Sequence, residues 1–283
     1  MKFSLWTKYG ALNSEPVFAA FKQSIINEGH GVTENDHDAD VDVIWSVLWN
    51  GRMALNKEIF YSKKPTVVLE VGGIQRGVTW KICVNGLGVR DCLRSTGNDN
   101  TRVKQLGLKL QPWTTRGEHI LICCQNPKSH QWYGMPNPAV WVNDTITTMR
   151  KHTDMPVVIR HHPRSPMTAN FSHHKNVTCQ IPRKVPGSYD NYDLTFDRAH
   201  AVIAWNSNTG PQALLHGIPT FTGPDSLGAG AADLDLNNIA DPIKADRTQW
   251  LNDYVYTEHT LHEIASSIPL LNLLKILDNL VER

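Results

Sequence analysis

Short apolar segments alternate with segments of helical periodicity along most of this chain, and the alternation starts twice. In the first half, the predicted strands are residues 3–7, 41–48 and 66–71, and the predicted helices are residues 17–27 and 54–61. An irregular stretch rich in Gly, Asn, Arg and Lys follows, from about residue 74 to residue 116. Strand–helix alternation of this kind predicts parallel sheets joined by right-handed crossovers.

The second series has the same character. Its predicted strands are residues 118–124, 157–160, 201–205 and 218–223, and its predicted helices are residues 138–151 and 211–216. We therefore predict an α/β protein with two Rossmann-like domains, residues 1–116 and residues 117–260. Residues 261–283 are amphipathic and are predicted to form a C-terminal helical segment interrupted at Pro269.

Composition excludes several classes of protein. The formal net charge is +1, so bulk charge indicates no partner. The five cysteines form an odd set without a Cys-x-x-Cys pair, which argues against a disulfide framework and a cysteine-based zinc site, and we expect buried, reduced thiols. No spaced metal signature is present, and we expect neither a metal nor a cofactor. No apolar run approaches the length of a membrane helix, and the opening "MKFSLWTKYG" lacks the apolar core of a signal peptide, so we expect a soluble, cytoplasmic protein without a membrane partner.

Three predicted strands of the second half end in polar residues. Gln125 follows the first of them, Arg160 and His162 lie at the end of the second, and "NSNTG" (206–210) follows the third. Ligands of doubly wound sheets bind outside the carboxyl ends of the strands. Free backbone N–H groups at the start of the helix near Pro211 suit a phosphate, and the hydroxyls nearby add donors. The alternative is an ordinary helix cap, since Ser, Thr and Asn cap helices in all classes of protein.

Two of these segments, "VVIRHHPRSP" and "VIAWNSNTGPQALLHGIPTFTG", resemble the C-terminal half of GT-B glycosyltransferases, over roughly residues 118–225. The closest pattern is that of enzymes of bacterial surface-polysaccharide synthesis and of their phage-borne relatives. The resemblance implies a GT-B arrangement, with two Rossmann-like domains facing a cleft and the C-terminal helix crossing back to the first domain. It also implies a nucleotide-sugar co-substrate, with a UDP-sugar favoured and a CMP-sugar as the alternative.

The resemblance assigns the donor nucleotide to a His-Pro element and to a Ser/Thr-rich turn before a helix. Gln212 stands where many family members have a Glu that binds the donor ribose, and an amide can still hydrogen-bond a hydroxyl. With the neighbouring strand ends, the predicted donor-binding residues are Gln125, Arg160, His162, Pro163, Ser207, Asn208, Thr209, Gly210 and Gln212.

Glu70 is the predicted catalytic base, because transfer to a hydroxyl needs a group that takes the proton of the acceptor. It ends the strand "TVVLE" and precedes Gly72-Gly73, where a backbone can approach a ligand. The order of strand, acidic residue, turn, Arg76 and Trp80 is similar to a region of phage DNA beta-glucosyltransferases. The alternatives are a salt-bridged carboxylate with no catalytic role, or Asp91 or Asp99 as the base.

The stretch from Arg76 to Arg116 contains eight basic and two acidic residues, interleaved with Trp80 and Trp113. Basic side chains neutralise phosphates, and aromatic rings stack on extruded bases, so the region indicates nucleic acid. A solvated loop, or one that binds an anionic sugar, is the alternative. With the first strand-to-helix loop added, the predicted acceptor-binding residues are Tyr9, Asn13, Arg76, Trp80, Lys81, Arg90 and Arg94.

These residues predict glycosyl transfer from a nucleotide sugar to a hydroxyl, with 5-hydroxymethylcytosine in phage DNA as the first choice of acceptor and DNA as the partner. The location would then be the host cytoplasm. Two alternatives remain open at this point. One is a cell-surface polysaccharide glycosyltransferase, and the other is a non-catalytic module that binds a nucleotide or a sugar, since a fold does not by itself imply activity.

Overall fold

The computed structural model describes residues 1–92, 95–188 and 191–281. The chain divides into two compact units: unit 1 comprises Met1–Asn98 and Asp253–Arg283, and unit 2 comprises Asp99–Asn252. Within the described ranges, no helix is both long enough and apolar enough to span a lipid bilayer.

The strands and helices follow one another as the alternating pattern predicts, with additional short elements. In chain order the strands are β1 (Lys2–Leu5), β2 (Gly31–Glu34), β3 (Val41–Trp45), β4 (Thr66–Val71), β5 (Thr79–Val84), β6 (His119–Cys123), β7 (Val157–Arg160), β8 (Val177–Gln180), β9 (Ala199–Ala204), β10 (Thr220–Thr222) and β11 (Glu258–Thr260). The α-helices are α1 (Glu15–Asn27), α2 (Asn56–Phe60), α3 (Thr101–Gln105), α4 (Pro138–Met149), α5 (Thr209–Leu215), α6 (Thr248–Tyr254), α7 (Leu261–Ala265) and α8 (Ile268–Val281).

Unit 1 is built on a six-stranded sheet in the order β11-β5-β4-β3-β1-β2. The pairs among β1, β2, β3 and β4 are parallel, whereas β5 runs antiparallel to both β4 and β11. Its core includes Phe3, Phe21 and Trp45, together with Leu273 and Leu277 of α8. The C-terminal helix therefore buries its apolar stripe in the core of unit 1, as its amphipathic pattern requires.

Unit 2 is built on a five-stranded sheet in the order β10-β9-β6-β7-β8, and its strand pairs are all parallel. Its strands are short and strongly apolar; Ile120, Ile122 and Ile159 pack against Ile146 of α4 on one face. On the other face, Val202 packs with Ala213 of α5. The two parallel arrays confirm the predicted α/β class.

The structure contains strands that the sequence pattern did not predict. β5 lies in the stretch expected to be irregular, and all six of its residues are buried. β2 and β8 are partly exposed and lack a clear alternation, and β11 has only three residues. Each of these strands forms because a neighbouring strand offers unpaired backbone groups, a condition that a local pattern does not reveal.

The unit boundaries differ from those expected at residues 116 and 260. Residues 99–116 belong to unit 2, where Arg247 donates hydrogen bonds to the carbonyl oxygens of Gln111 (2.6 Å) and Leu214. The Arg247 guanidinium also lies 3.6 Å from the centre of the Trp113 ring. Residues 253–260 belong to unit 1, because β11 pairs with β5.

The cysteines correct one expectation. Cys83 and Cys92 form a disulfide, whereas we expected reduced thiols throughout. The two residues face each other across an antiparallel bridge at the end of β5, which brings their Cα atoms to 4.0 Å. Cys123 and Cys124 are buried free thiols, and burial raises the pKa of Cys123 to about 11, so it is not a reactive thiolate near neutral pH.

Candidate functional site

The carboxyl ends of β1, β3 and β4 meet at one edge of the unit 1 sheet, because these strands are parallel neighbours. Glu70 lies at the end of β4 and is half-buried. Its Oε2 accepts a hydrogen bond of 2.5 Å from the hydroxyl of Ser46, and its Oε1 accepts one of 2.7 Å from the backbone N–H of Val71. The carboxylate that the sequence singles out is therefore held in a defined orientation at the edge where ligands of such sheets bind.

Ser46 is a residue of this site that sequence reasoning missed. It follows β3 directly and has a φ of 63°, a left-handed conformation that non-glycine residues adopt at a cost. Its backbone N–H donates to the carbonyl oxygen of Leu69, and its Oγ accepts from the N–H of Leu48. The strained backbone thus aims the hydroxyl at Glu70. The sequence analysis placed Ser46 inside a predicted strand (41–48), whereas β3 ends at Trp45; the only signal in the sequence was a serine within an otherwise apolar run.

Lys81 lies beside Glu70 in the sheet, because the two residues are register partners on β5 and β4. Lys81 is 3% exposed, so it lies within the protein rather than on a surface that an acceptor would contact. Burial lowers the pKa of Lys81, while the neighbouring carboxylates of Glu258 and Glu70 oppose that shift. Lys81 therefore belongs to a buried row of charged groups.

Trp80 points to the opposite face of the same sheet. It is 4% exposed and packs in the core of unit 1, with its ring centre 5.8 Å from that of Trp45. A buried ring is not available for stacking on a base or a sugar, so we assign Trp80 to the core.

The remaining predicted acceptor residues lie in loops of unit 1. Tyr9 is half-buried and stacks on Trp6 at 5.9 Å between ring centres. Asn13 is half-buried in the turn before α1, Arg76 is half-buried in the β4–β5 loop, and Arg90 is exposed. Arg94 lies outside the described residues.

The two alternative bases have structural roles in their loops. Asp91 Oδ2 accepts from the backbone N–H of Gly88 at 2.8 Å, and Asp99 Oδ1 accepts from that of Thr101 at the start of α3. These contacts order a turn and a helix end.

Polar residues of unit 2 gather at the carboxyl edge of its sheet, where β9, β6 and β7 are neighbours. The backbone N–H of Asn206 donates to Oε1 of Gln125 at 3.2 Å. Gln131 Nε2 donates to the carbonyl oxygen of Asn206 at 3.0 Å. The ends of β6 and β9 are therefore joined by side-chain amides. Gln131 and Asn206 were not among the predicted residues. No local sequence pattern indicates that the amide of Gln131 hydrogen-bonds a residue 75 positions away.

The turn between β9 and α5 differs from an ordinary helix cap. α5 begins at Thr209, and Asn208 makes no side-chain capping hydrogen bond. Gly210 is buried, and a Cβ at this position would lie 3.1 Å from the Thr222 methyl group, so the turn is tightly packed against β10. The hydroxyl oxygens of Ser207 and Thr222 are buried without a hydrogen-bond partner among the described residues. The half-buried Gln212 lies in the first turn of α5.

The end of β7 holds the other predicted donor residues. Arg160 is 5% exposed, donates to the carbonyl oxygen of Thr195, and lies 5.6 Å from the centre of the Phe196 ring. Its guanidinium is therefore engaged within unit 2. His162 is half-buried, with its Nδ1 accepting from the N–H of Arg164 at 3.2 Å, and Pro163 beside it is also half-buried.

His161 is a further residue that the predicted site did not include. It is 6% exposed, and its Nδ1 accepts a 2.9 Å hydrogen bond from the backbone N–H of Met167. Burial lowers the pKa of His161, which keeps the ring neutral near pH 7. A neutral ring that accepts at Nδ1 carries its proton on Nε2.

Comparisons with known proteins give a likeness at the level of the fold. No protein-family description and no curated protein matches the chain. Among solved structures, the chain is similar to Thermosulfurimonas dismutans KpsC, a beta Kdo 2,7 transferase. The TM-score is 0.52 at 14% identity, over 96% of this chain and 99% of the other. It is also similar, at a TM-score of 0.45 and 11% identity, to the beta Kdo 2,4 transferase of the same KpsC, over 95% of this chain and 98% of that one.

Proposed function

We propose that this protein is a glycosyltransferase that moves a sugar from a nucleotide-sugar donor to a hydroxyl of a surface polysaccharide. The observation that carries the proposal is the similarity of fold, along nearly the whole chain, to a beta Kdo 2,7 transferase. This similarity favours the surface-polysaccharide alternative over the first choice, a phage DNA enzyme. Fold similarity alone does not establish activity, so the residues must support the reaction.

The basic stretch gives weaker support to a DNA acceptor than its sequence suggests. Trp113 donates its Nε1–H to the carbonyl oxygen of Ala245 and stacks with Arg247. Trp80 is in the core, and Lys81 and Arg102 are buried. Some of the cations and aromatic rings on which the prediction of a DNA surface was based therefore make contacts inside the protein instead.

Unit 2 is the proposed donor-binding unit. The amides of Gln125 and Asn206 and the turn at Ser207–Thr209 lie at the ends of neighbouring parallel strands. His162 follows the third strand end and is half-buried. Such a polar edge suits a nucleotide phosphate, which needs N–H and O–H donors. The proposed donor is a CMP- or UDP-linked sugar.

Glu70 is the proposed base. The oxygen of the acceptor hydroxyl forms a bond to the anomeric carbon of the donor, the bond from that carbon to the phosphate oxygen breaks, and the nucleotide leaves with the electron pair. The hydroxyl proton passes to the Glu70 carboxylate, whose orientation is set by Ser46 and the Val71 N–H. The bonds formed and broken in this reaction balance, and no change of oxidation state is involved.

The experiment is a transfer assay with CMP-, UDP- and GDP-sugars against two acceptors, surface-polysaccharide oligosaccharides and hydroxymethylated DNA, with products identified by mass spectrometry. Addition of a sugar to the oligosaccharide supports the proposal. Addition of a sugar to DNA alone would support the hypothesis of a DNA acceptor and contradict that of a glycan acceptor. Donor binding without transfer to any acceptor would indicate a non-catalytic binding module and contradict the proposal of an enzyme.

The Glu70 assignment has its own test. Glu70→Gln is expected to lower kcat by about 10²–10⁴-fold and to leave the donor KM nearly unchanged, because the amide cannot accept a proton. Glu118→Gln is the matched control, since Glu118 is an exposed carboxylate paired with Arg198. Equal activity of the two variants would exclude Glu70 as the base.

A further inference from the structure

Glu258 is a fully buried carboxylate on β11, with 0% exposure. Its Oε1 accepts from the backbone N–H of Gly73 at 2.7 Å, and its Oε2 accepts from that of Ile74 at 3.0 Å. The Thr79 hydroxyl lies 2.7 Å from Oε2 and donates to it. These three partners are all donors, which is the environment of an ionised carboxylate.

The backbone N–H groups that Glu258 binds begin at Gly73, three residues after Glu70. Gly72 packs so closely on Glu258 that a Cβ would lie 2.3 Å from Oε2 and 2.3 Å from the carbonyl oxygen of Thr79. Only glycine fits this approach, because any side chain would displace the segment from the carboxylate. Gly72-Gly73 therefore allows the backbone to approach the Glu258 carboxylate, where the sequence analysis expected an approach to a ligand.

Lys81 connects Glu258 to Glu70. It is the register partner of Glu70 on one side and of Glu258 on the other, so the three charged residues form a row on one face of the sheet. Lys81 and Glu258 are buried, where a charge pair interacts more strongly than at the surface. Glu258 is therefore connected to Glu70 by two routes, the backbone of residues 71–74 and Lys81.

We propose that Glu258 is a positioning residue of the transferase: with Lys81, its carboxylate holds the Gly72–Ile74 segment and thereby keeps the Glu70 carboxylate in its orientation toward the acceptor. This inference rests on the proposed function, in which Glu70 is the base. Glu258 acts through Glu70 and does not itself contact the reacting atoms. Its contribution is a lower barrier for proton transfer, because a base that is misplaced by even a fraction of a bond length transfers protons less efficiently.

The first measurement compares Glu258→Gln with wild type and with Glu263→Gln. Glu263 is a carboxylate five positions along the chain that binds the N–H of Thr260 at 2.7 Å in the capping box of α7. Hydrogen exchange of the Gly73 and Ile74 amides is expected to accelerate by about tenfold or more in Glu258→Gln and to stay unchanged in Glu263→Gln. Equal exchange in both variants would overturn the proposal.

The second measurement is kinetic. Glu258→Gln is expected to lower kcat by about 10- to 100-fold with the donor KM within about twofold, whereas Glu263→Gln affects stability alone. Thr79→Val retains every charge and removes the hydroxyl that donates to Glu258 and also accepts from the N–H of Gln75. It remains informative if Glu258→Gln fails to fold, and its kcat should fall by about 3- to 10-fold. An unchanged kcat in Thr79→Val and Glu258→Gln would overturn the positioning role. Failure of the proposed function is a separate result, because it is seen as absence of transfer by the wild-type protein before any substitution is made.

Discussion

The hydroxyl of Ser46 donates a 2.5 Å hydrogen bond to Oε2 of Glu70, across two parallel strands that are separated by 24 positions in the sequence. Ser46 holds this position with a left-handed backbone, φ 63°. A polar contact made at the cost of backbone strain, next to the proposed base, is typical of residues that are retained for function.

Ser46→Gly is expected to lower kcat by about tenfold or more, because the Glu70 carboxylate loses the donor that orients it. Glycine adopts the left-handed backbone without strain, so the free energy of unfolding should change little. Ser267→Gly is the matched control, since Ser267 has a φ of 64° and is buried at the start of α8. Steady-state kinetics check the result, and an equal kcat for the two variants would remove Ser46 from the site.

Arg247→Met is expected to lower the stability of unit 2 by about 2–4 kcal/mol, because two backbone carbonyls lose their donor and Trp113 loses the cation on its ring. Lys244→Met, at an exposed position nearby, should change stability by less than about 0.5 kcal/mol. Hydrogen exchange of α5 amides and thermal unfolding measure the difference. Equal unfolding temperatures and exchange rates in the two variants would show that the Arg247 contacts with Gln111, Trp113 and Leu214 do not stabilise unit 2.

Binding to DNA is expected to depend less steeply on salt than the eight basic residues of the stretch would suggest. Lys81 and Arg102 are buried and the ring of Trp113 is covered by Arg247, whereas Arg90, Lys104, Lys109 and Arg116 are exposed and can release counterions from a duplex. Fluorescence anisotropy with duplex DNA over a range of salt concentrations gives the slope of log K against log salt. A steep negative slope would contradict the assignment of these residues to internal contacts.

The stability of unit 2 is expected to fall as the pH drops below about 6.5, the ordinary pKa of histidine. Burial lowers the pKa of His161 in the folded state, so the unfolded chain binds more protons in this range. The stabilisation is present in full above the unfolded pKa and is lost as the pH falls toward the folded one. Burial also lowers the pKa of His119 and His174, which act in the same direction.

His161→Gln keeps an acceptor for the Met167 N–H and removes the titrating group. We expect its loss of stability between about pH 7.5 and 5.5 to be smaller than that of the wild type. His152→Gln, at an exposed position, is the control and should retain the wild-type dependence. Thermal unfolding across this pH range compares the three proteins, and a wild-type slope in His161→Gln would exclude His161 as a contributor.

Much of the α/β pattern could be predicted because the signal is local. Buried strands such as β4 and β7 are runs of apolar residues that end at the predicted position, and α4 begins at Pro138 after the capping Asn137. The polar residues at strand ends, including Glu70 and Gln125, also follow from that pattern. The burial of Trp80 and Lys81 could not be predicted in this way. They lie on β5, a strand that the sequence pattern did not predict, and a strand buries side chains that a loop would expose.

The sequence alone determined the alternation of strands and helices, since apolar periodicity decides which segments can be buried in a sheet. Only the tertiary structure decided which polar groups meet: Ser46 with Glu70, Gln125 with Asn206, and Glu258 with the backbone of residues 73–74, 185 positions away. The reason is physical. Periodicity is a property of neighbouring residues, whereas a hydrogen bond between distant segments depends on strand order and on the packing that brings donor and acceptor to about 3 Å.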